Sequence, residues 1–478
     1  MNAADAIAIL PLLIVTGAAI AIMVSIAICR DYMVTAAIAL AGCAAAFGSI
    51  WIAAGQVPRQ VTPLLVVDHY ALFYFGLILA AGMGFVLLAY DYLCECESGR
   101  DEMYILMLVA TLGAMVLAAS SHWVSLFLGL ELLSVSLYGM IAYLHTRPLP
   151  IEAGVKYLVL ASVSAAFLLF GIALLYTAMG TMELPRMAAL LNSGVPFDRA
   201  LVLPGLALVI TGLGFKLGVV PFHLWTPDVY EGAPAPVTGF IATVSKGAIF
   251  AVLIRYFYQS GARGFTPIFV VFFIIALASM IAGNILALLQ RNVKRMLAYS
   301  SIAHLGYMLV AFEAGGTLGP AAVTFYLAAY FVTTLGAFGV ISALSTHGNE
   351  LELLDDYRGL FWRRPALACV FTAMLFSLAG IPLTAGFIGK FYLVAAGASA
   401  ALWTLVIVLV VMSGIGLFYY LRVVITMFGG AEMSRASEPR IQLAPNVVLT
   451  VLVVLLFWFG ILPQTLLRVV RAAVAGLV

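Results

Sequence analysis

Six ionisable side chains stand where long apolar runs should exclude them: Glu131, Lys216, His223, Lys246, His304 and Lys390. An ionised group at the middle of a bilayer costs at least about 2.5–3.5 kcal/mol, so each such residue needs a use or a partner. Proton transfer is a use that suits these residue types. A lysine taken out of water tends to lose its proton, and a carboxylate beside it favours keeping it. Held between those two influences, a lysine can both take up and release a proton. Histidine titrates near neutrality and can relay a proton through its two ring nitrogens. Fixed structural ion pairs would place the same residue types together, which is the competing explanation.

Glu131 is the one carboxylate at the middle of a run and is expected to partner Lys216. Glu131, Lys216, Lys246 and His304 each fall near the centre of their own runs, which predicts a row at one depth. A row in the membrane plane carries charge sideways and needs links to each face. Lys390 lies past Pro382, and His223 follows Pro221; a histidine at a helix break can instead satisfy freed carbonyls.

Other polar residues read more plainly. Lys156 follows Glu152 by one helical turn and forms an i,i+4 pair near a membrane face. It either snorkels there or adds to the proton path. Arg422, near the end of its run, should also snorkel. Asp228 and Glu231 suit turn and cap chemistry. Arg291, Lys294 and Arg295 form a basic edge expected to face headgroups or a neighbouring protein. Cys94 and Cys96 read as free thiols, because no second Cys/His cluster follows at ligand spacing, so no metal site is expected.

The elements that must position these groups follow from composition. Of 478 residues, 64% are apolar and 9% charged, against roughly 45–50% and 25% in soluble domains. Such a chain cannot supply a polar surface, so it reads as an all-α, polytopic membrane protein. The net charge of +2 implies no nucleic-acid partner. Without a basic stretch at its start, the first run reads as a retained span. About 14 stretches are long enough to cross a bilayer, at 5–29, 32–54, 69–92, 102–119, 121–143, 153–178, 201–226, 236–258, 266–289, 293–313, 319–345, 366–397, 400–428 and 443–470. Residues 56–67 read as a loop or hairpin, and Thr346 to Arg364 as a loop. Loops after odd-numbered spans hold eleven basic residues against seven. The positive-inside rule then puts odd loops in the cytoplasm and both termini on the periplasmic side.

Spans 7 and 12 are interrupted, at Pro221 and Pro382. If spans 4–8 and 9–13 are two five-helix units, both breaks fall at the fourth helix, and the odd count makes the units inverted repeats. Broken helices at matched positions mark ion paths in transporters. The expected division is residues 1–100 for the first three spans, 101–260 and 261–430 for the two repeats, and 431–478 for span 14. No phosphate-binding loop, dinucleotide fingerprint, haem pair or iron–sulfur cysteine run is present. The chain must therefore be driven by an ion gradient or by a partner.

Three stretches carry a family resemblance: Ser125 to Leu137, Phe215 to Lys246 and Lys294 to Met308. Through them the chain resembles the antiporter-like membrane subunits of respiratory complex I. The run Pro-Phe-His-Leu-Trp-Thr-Pro-Asp-Val-Tyr-Glu-Gly-Ala-Pro from Pro221 favours one branch of that group. By this resemblance Glu131 and Lys216 match the family's Glu–Lys pair. Lys246 matches its central lysine, Lys390 its terminal lysine and Lys156 a lysine of the sixth span. Leu383 departs from relatives that often carry a second proline there. The resemblance implies a proton-translocating subunit of an NADH:quinone oxidoreductase in a bacterial inner membrane. NADH, FMN, iron–sulfur clusters and quinone, expected to be ubiquinone, would be held by other subunits, and no cofactor by this chain. Subunits M, K and J would be neighbours within the bilayer. A subunit of a multisubunit cation/proton antiporter, or a structural scaffold, would share the fold.

Overall fold

A computed structural model describes residues 2–94, 100–145, 147–192, 198–259, 266–345, 350–430 and 443–477. Among the described residues the regular structure is helical apart from one antiparallel hairpin, Arg59–Thr62 with Leu65–Val67, inside the stretch expected to hold one. Helices close their own backbone hydrogen bonds, which is the condition for crossing lipid. Among the described residues, 12 helices are long and apolar enough to do so. The expected span 10, Val293–Ala314, lies outside that set, because serines, tyrosine and His304 lower its apolarity. Span 12 lies outside it because its halves, Pro365–Ala379 and Ala385–Ser399, are 15 residues each.

Contacts between connecting segments follow the expected alternation of sides. Leu65 bridges Ser120 and His122 bridges Glu183, all in segments after even spans. Asn292 bridges Leu353, and Gly359 N–H donates to the Thr426 carbonyl, all in segments after odd spans or at the end of span 13.

Two spans lie almost entirely inside the protein. Every residue of the apolar window of Ala235–Tyr258 is buried, as is 94% of that of Leu318–Leu344. The first begins as Ala235–Phe240, widens into a π-helical turn over Ile241–Ser245 and resumes at Lys246–Gln259. Wide turns of this kind occur often at functional sites. Here the turn ends immediately before Lys246.

The two interrupted spans break in the same way. The first half of span 7, Arg199–Leu217, ends at Gly218 in the left-handed region, φ +73°. Its N–H donates to the Gly214 and Phe215 carbonyls, and the Val219 N–H returns to Gly214. The first half of span 12 ends at Gly380, φ +86°, whose N–H donates to Phe376 and Ser377 while Ile381 returns to Phe376. This closure needs a residue with positive φ, which glycine adopts without cost. Leu383, the departure noted above, holds φ +72°, an angle that proline's ring forbids.

Several expectations need correction. Span 14 stops at Ile461, and Pro463–Val474 forms a separate amphipathic helix with Leu467, Val470, Ala473 and Val474 turned inward. Arg255, counted among the loop charges, is buried within span 8 and paired bidentately with Asp68 at 2.7 Å. It also donates to the Ala118 carbonyl. Lys294 and Arg295 do not face outward: Lys294 is buried against Glu350, and Arg295 pairs with Asp228 and Glu231. Arg422 reaches toward the end of its span and donates to the Leu288 and Gln290 carbonyls at the end of span 9. The basic-residue count therefore loses members that belong to internal pairs.

The span 12 break is held from outside by Gly460 of span 14. A Cβ there would lie 2.2 Å from the Leu383 carbonyl oxygen and 2.5 Å from the Thr384 carbonyl carbon. Backbone cannot yield as a side-chain tip can, so Gly460→Ala should destabilise the chain by about 1–3 kcal/mol. Thermal unfolding of the purified protein checks this, and an unchanged midpoint would mean the packing relaxes freely.

Candidate functional site

Breaking a helix inside the protein frees carbonyls that water cannot reach, and each needs a donor. At both breaks a lysine supplies it. The Lys246 ammonium, from span 8, donates to the Leu217 carbonyl at the end of the first half of span 7. The Lys390 ammonium, from the second half of span 12, donates to the Leu378 and Ala379 carbonyls at 2.7 and 3.0 Å and to Ser413 at 2.7 Å. A helix C-terminus carries partial negative charge, so each cation sits where that field favours it. Each lysine also lies against the left-handed glycine: a Cβ on Gly218 would be 2.8 Å from Lys246 Nζ, and one on Gly380 would be 3.3 Å from Lys390 Nζ. His223 lies against the Pro221 backbone at the span 7 break, while its buried Nδ1 has no hydrogen-bond partner.

Lys216 closes the first half of span 7, one residue before its end, rather than riding the middle of a continuous helix. It is buried, with its ammonium 2.6 Å from Ser134 Oγ and 5.7 Å from the Tyr157 ring centre. Glu131, the expected partner, acts on Lys216 through its charge without a direct salt bridge. Glu131 lies one turn before Ser134 on span 5, and its buried Oε1 has no hydrogen-bond partner. Ser134 accepts from Lys216 and donates its own hydroxyl to the Leu130 carbonyl at 2.6 Å. Thr226 Oγ1, close to Lys246 across Gly218, is likewise buried without a partner. Orphaned oxygens of this kind are sites for bound water.

His304 is fully enclosed. Its Nδ1 meets the Tyr326 hydroxyl at 2.5 Å and its Nε2 the Tyr420 hydroxyl at 3.0 Å. Tyr420 also bonds Ser300. Neutral imidazole donates from one nitrogen and accepts at the other, while a phenol does both, so this chain can carry a proton in either direction. Toward Lys390 the link is a shared ring: Tyr307 lies 5.4 Å edge-on from His304, and the Lys390 ammonium lies 5.4 Å from the Tyr307 ring centre. On the other side Tyr330 donates to Ser301 at 2.8 Å, and Ser301 lies 3.5 Å from the Tyr230 hydroxyl. Among the described residues no hydrogen bond joins Lys246 to this cluster.

Sequence reasoning missed Ser134, Ser300, Ser301, Ser413, Tyr230, Tyr307, Tyr326, Tyr330 and Tyr420. A signal existed in part: Tyr326 and Tyr330, and Ser300, His304 and Tyr307, recur at helical spacing inside apolar runs.

Lys156 keeps its Glu152 pair at 2.7 Å but also reaches Asp228 at 2.9 Å. Asp228 and Glu231 are thus charge partners rather than turn and cap residues. Partial burial alone would raise the Asp228 carboxyl, but hydrogen bonds from Lys156 and Arg295 hold it below its ordinary value. Cys29, Cys43, Cys94 and Cys369 are free, and Cys96 lies outside the described residues. Among the described residues no group of three or more His, Cys, Asp or Glu side chains could hold a metal ion.

A family model described as NADH:quinone oxidoreductase/Mrp antiporter, TM, matches residues 120–416. The chain is 48% identical to NADH-quinone oxidoreductase subunit N of Ectopseudomonas mendocina (strain ymp), over 98% of this chain and 96% of the relative. It is similar to a chain of respiratory complex I from Thermus thermophilus with bound aureothin, at 33% identity and a TM-score of 0.81. That match covers 97% of this chain and 99% of the other. A chain of the membrane-bound sulfane sulfur reductase, an archaeal respiratory membrane complex, superposes with a TM-score of 0.87 at 25% identity, covering 98% and 97%.

If Lys390 cycles a proton, a cation that cannot release one should stop it. Lys390→Arg keeps positive charge beside the Leu378 and Ala379 carbonyls, yet arginine stays protonated in proteins. The variant is expected to assemble and to show a several-fold loss of proton flux in vesicles holding the whole assembly. Near-parental flux would make Lys390 a static cap on the broken helix.

Proposed function

The chain belongs to the NADH:quinone oxidoreductase/Mrp antiporter transmembrane family, and on that premise we propose how it works as a proton-translocating membrane subunit of an NADH:quinone oxidoreductase. Similarity along nearly its whole length to a relative named subunit N, and to a chain of a respiratory complex I, favours this over a cation/proton antiporter. The whole assembly is the translocase. NADH, FMN, iron–sulfur clusters and quinone belong on other subunits, and this chain moves protons.

The observation that carries the mechanism is the pairing of each buried helix break with a lysine on its freed carbonyls. A lysine in that position is stabilised as a cation by the helix end and destabilised by loss of water. Small changes in its surroundings then decide whether it keeps its proton. Lys216, tied to Ser134 near Glu131, receives the signal or the proton in the first unit. Lys246 is the bridge, and Lys390 is the terminal carrier of the second unit. His304 and its tyrosine and serine partners join Lys390 toward the bridge, with water completing the step to Lys246. His223 and Lys156 complete the proposed proton path at the edge of the first unit. The identical closure at Gly218 and Gly380 supports two repeated units, 101–260 and 261–430, flanked by 1–100 and 431–478. Subunits M, K and J are the neighbours this reading places beside the chain in the bacterial inner membrane, with both termini periplasmic.

Lys246→Ala removes the donor from the Leu217 carbonyl and the bridge between units. Proton pumping in proteoliposomes of the assembled complex should fall several-fold, at assembly matched by the amount of bound flavin. Parental pumping would overturn the mechanism while leaving family membership untouched.

A further inference from the structure

Among the ion pairs unused by this mechanism, one lies deeply buried at the Lys246 helix. Glu350 and Lys294 are paired with side chains 6% and 1% exposed. A buried pair repays its desolvation only with good geometry and further hydrogen bonds. Both are present here. Glu350 Oε1 accepts from the Tyr92 hydroxyl and from the Ala235 N–H, each at 2.7 Å, while Lys294 also donates to the Ala233 carbonyl at 2.7 Å. The pair thus joins span 3 and the first turn of the Lys246 helix to span 10.

It also forms part of a wall. A cavity of about 330 Å³ opens at this end of the molecule, lined among others by Tyr92, Arg147, Glu231, Glu350 and Glu352. Asn292 donates to both Glu231 and Glu352. Such a volume holds several waters, and its lining offers each of them polar partners. Desolvation raises the Glu352 carboxyl; Lys294 lowers it, and the neighbouring Glu350 and Glu231 charges push it up again. Glu352 is therefore the carboxyl of this lining held above its ordinary range.

Inward from the pair the structure continues toward His304 by two routes. Span 10 presents Ser301 two turns beyond Lys294, about 10 Å along the helix. From the cavity wall, Tyr230, next to Glu231, brings its hydroxyl to 3.5 Å from the same serine. Ser301 accepts from Tyr330, whose ring lies 5.8 Å from that of His304.

We propose that this cavity is the mouth through which protons reach the buried row from one membrane face, with Glu350 the group that takes them up. A protonated water in the cavity passes its extra proton to a Glu350 carboxylate oxygen and is left neutral. Lys294 keeps its own proton and holds the carboxylate in place. The proton then leaves Glu350 for water on the inner side and travels to Ser301 and Tyr230. This rests on the proton-carrying role assigned above to the buried row.

The test uses the whole complex in proteoliposomes, with proton pumping followed against the pH of the face bearing the cavity. Glu350→Gln keeps an acceptor for Tyr92 and Ala235 but cannot bind a proton. Pumping should fall several-fold at alkaline pH and recover as the pH is lowered, because direct uptake from solution replaces the missing acceptor. Glu350→Asp should restore most of the rate. Formate, a small carboxylate able to enter the cavity, should partly rescue Glu350→Gln. Leu149→Trp, at the cavity lip and away from the pair, should slow pumping in the same sense. A Glu350→Gln loss equal at every pH and untouched by formate would make the pair a structural clamp and overturn the proposal. Parental pumping by Glu350→Gln would also overturn it. Lys246→Ala run in parallel separates the readings: if it stops pumping while Glu350→Gln does not, the mouth is wrong and the row stands. If Lys246→Ala pumps normally, the row itself fails.

Discussion

A backbone carbonyl freed inside a membrane protein has nowhere to turn but to a side chain or to water. That constraint organises this molecule. Spans 7 and 12 each give up helical hydrogen bonds at a left-handed glycine, and each break then draws a lysine ammonium to its exposed carbonyls. Without the break, an ammonium at this depth would face only hydrocarbon or a distant counter-charge. Without the lysine, the break would bury unsatisfied oxygens at about 1–3 kcal/mol each. The defect in the helix and the charge in the membrane each remove the other's penalty. The arrangement persists because neither half is stable alone.

The surrounding spans serve that arrangement by excluding lipid from it. The Lys246 helix and the span bearing Tyr326 and Tyr330 are wrapped on all sides by other helices. Their polar groups are thereby kept from acyl chains. The π-helical turn before Lys246 belongs to the same economy of space. One extra residue in the turn changes the angle at which the lysine leaves its helix, and the ammonium arrives at the Leu217 carbonyl.

Much of this was legible in the sequence because membrane insertion writes its rules in composition. Long apolar runs marked most span ends within a few residues, the ends of spans 7 and 14 excepted, and Pro221 and Pro382 marked the breaks. Ionisable residues in apolar runs marked the lysines, Glu131 and His304. What stayed hidden depended on partners distant in sequence. Nothing near Lys294 says that Glu350, beyond another whole span, will meet it, and nothing near Arg255 announces Asp68. Hydroxyls were hidden for a different reason. Serine and tyrosine are common enough in membrane helices that Ser134 or Tyr420 gains meaning only when a charged nitrogen is seen within hydrogen-bond distance. The end of span 14 was misread because apolarity continues past Ile461, while Pro463 starts a helix whose pattern is amphipathic rather than uniformly apolar.

His304 between two phenols has a consequence for timing. Suppose a proton arrives at the Tyr326 hydroxyl, whose own proton passes to Nδ1 while the proton on Nε2 leaves to Tyr420, which passes its own to Ser300, and Ser300 releases its proton onward. Every hydroxyl and the imidazole now point the opposite way. The wire is latched: it cannot pass a second proton in the same direction until each rotor has turned back and the ring has regained its first tautomer. A conductor built this way has memory of its last event. On the proposed proton path it acts as a turnstile for single protons, whose resting orientation decides which direction is open next.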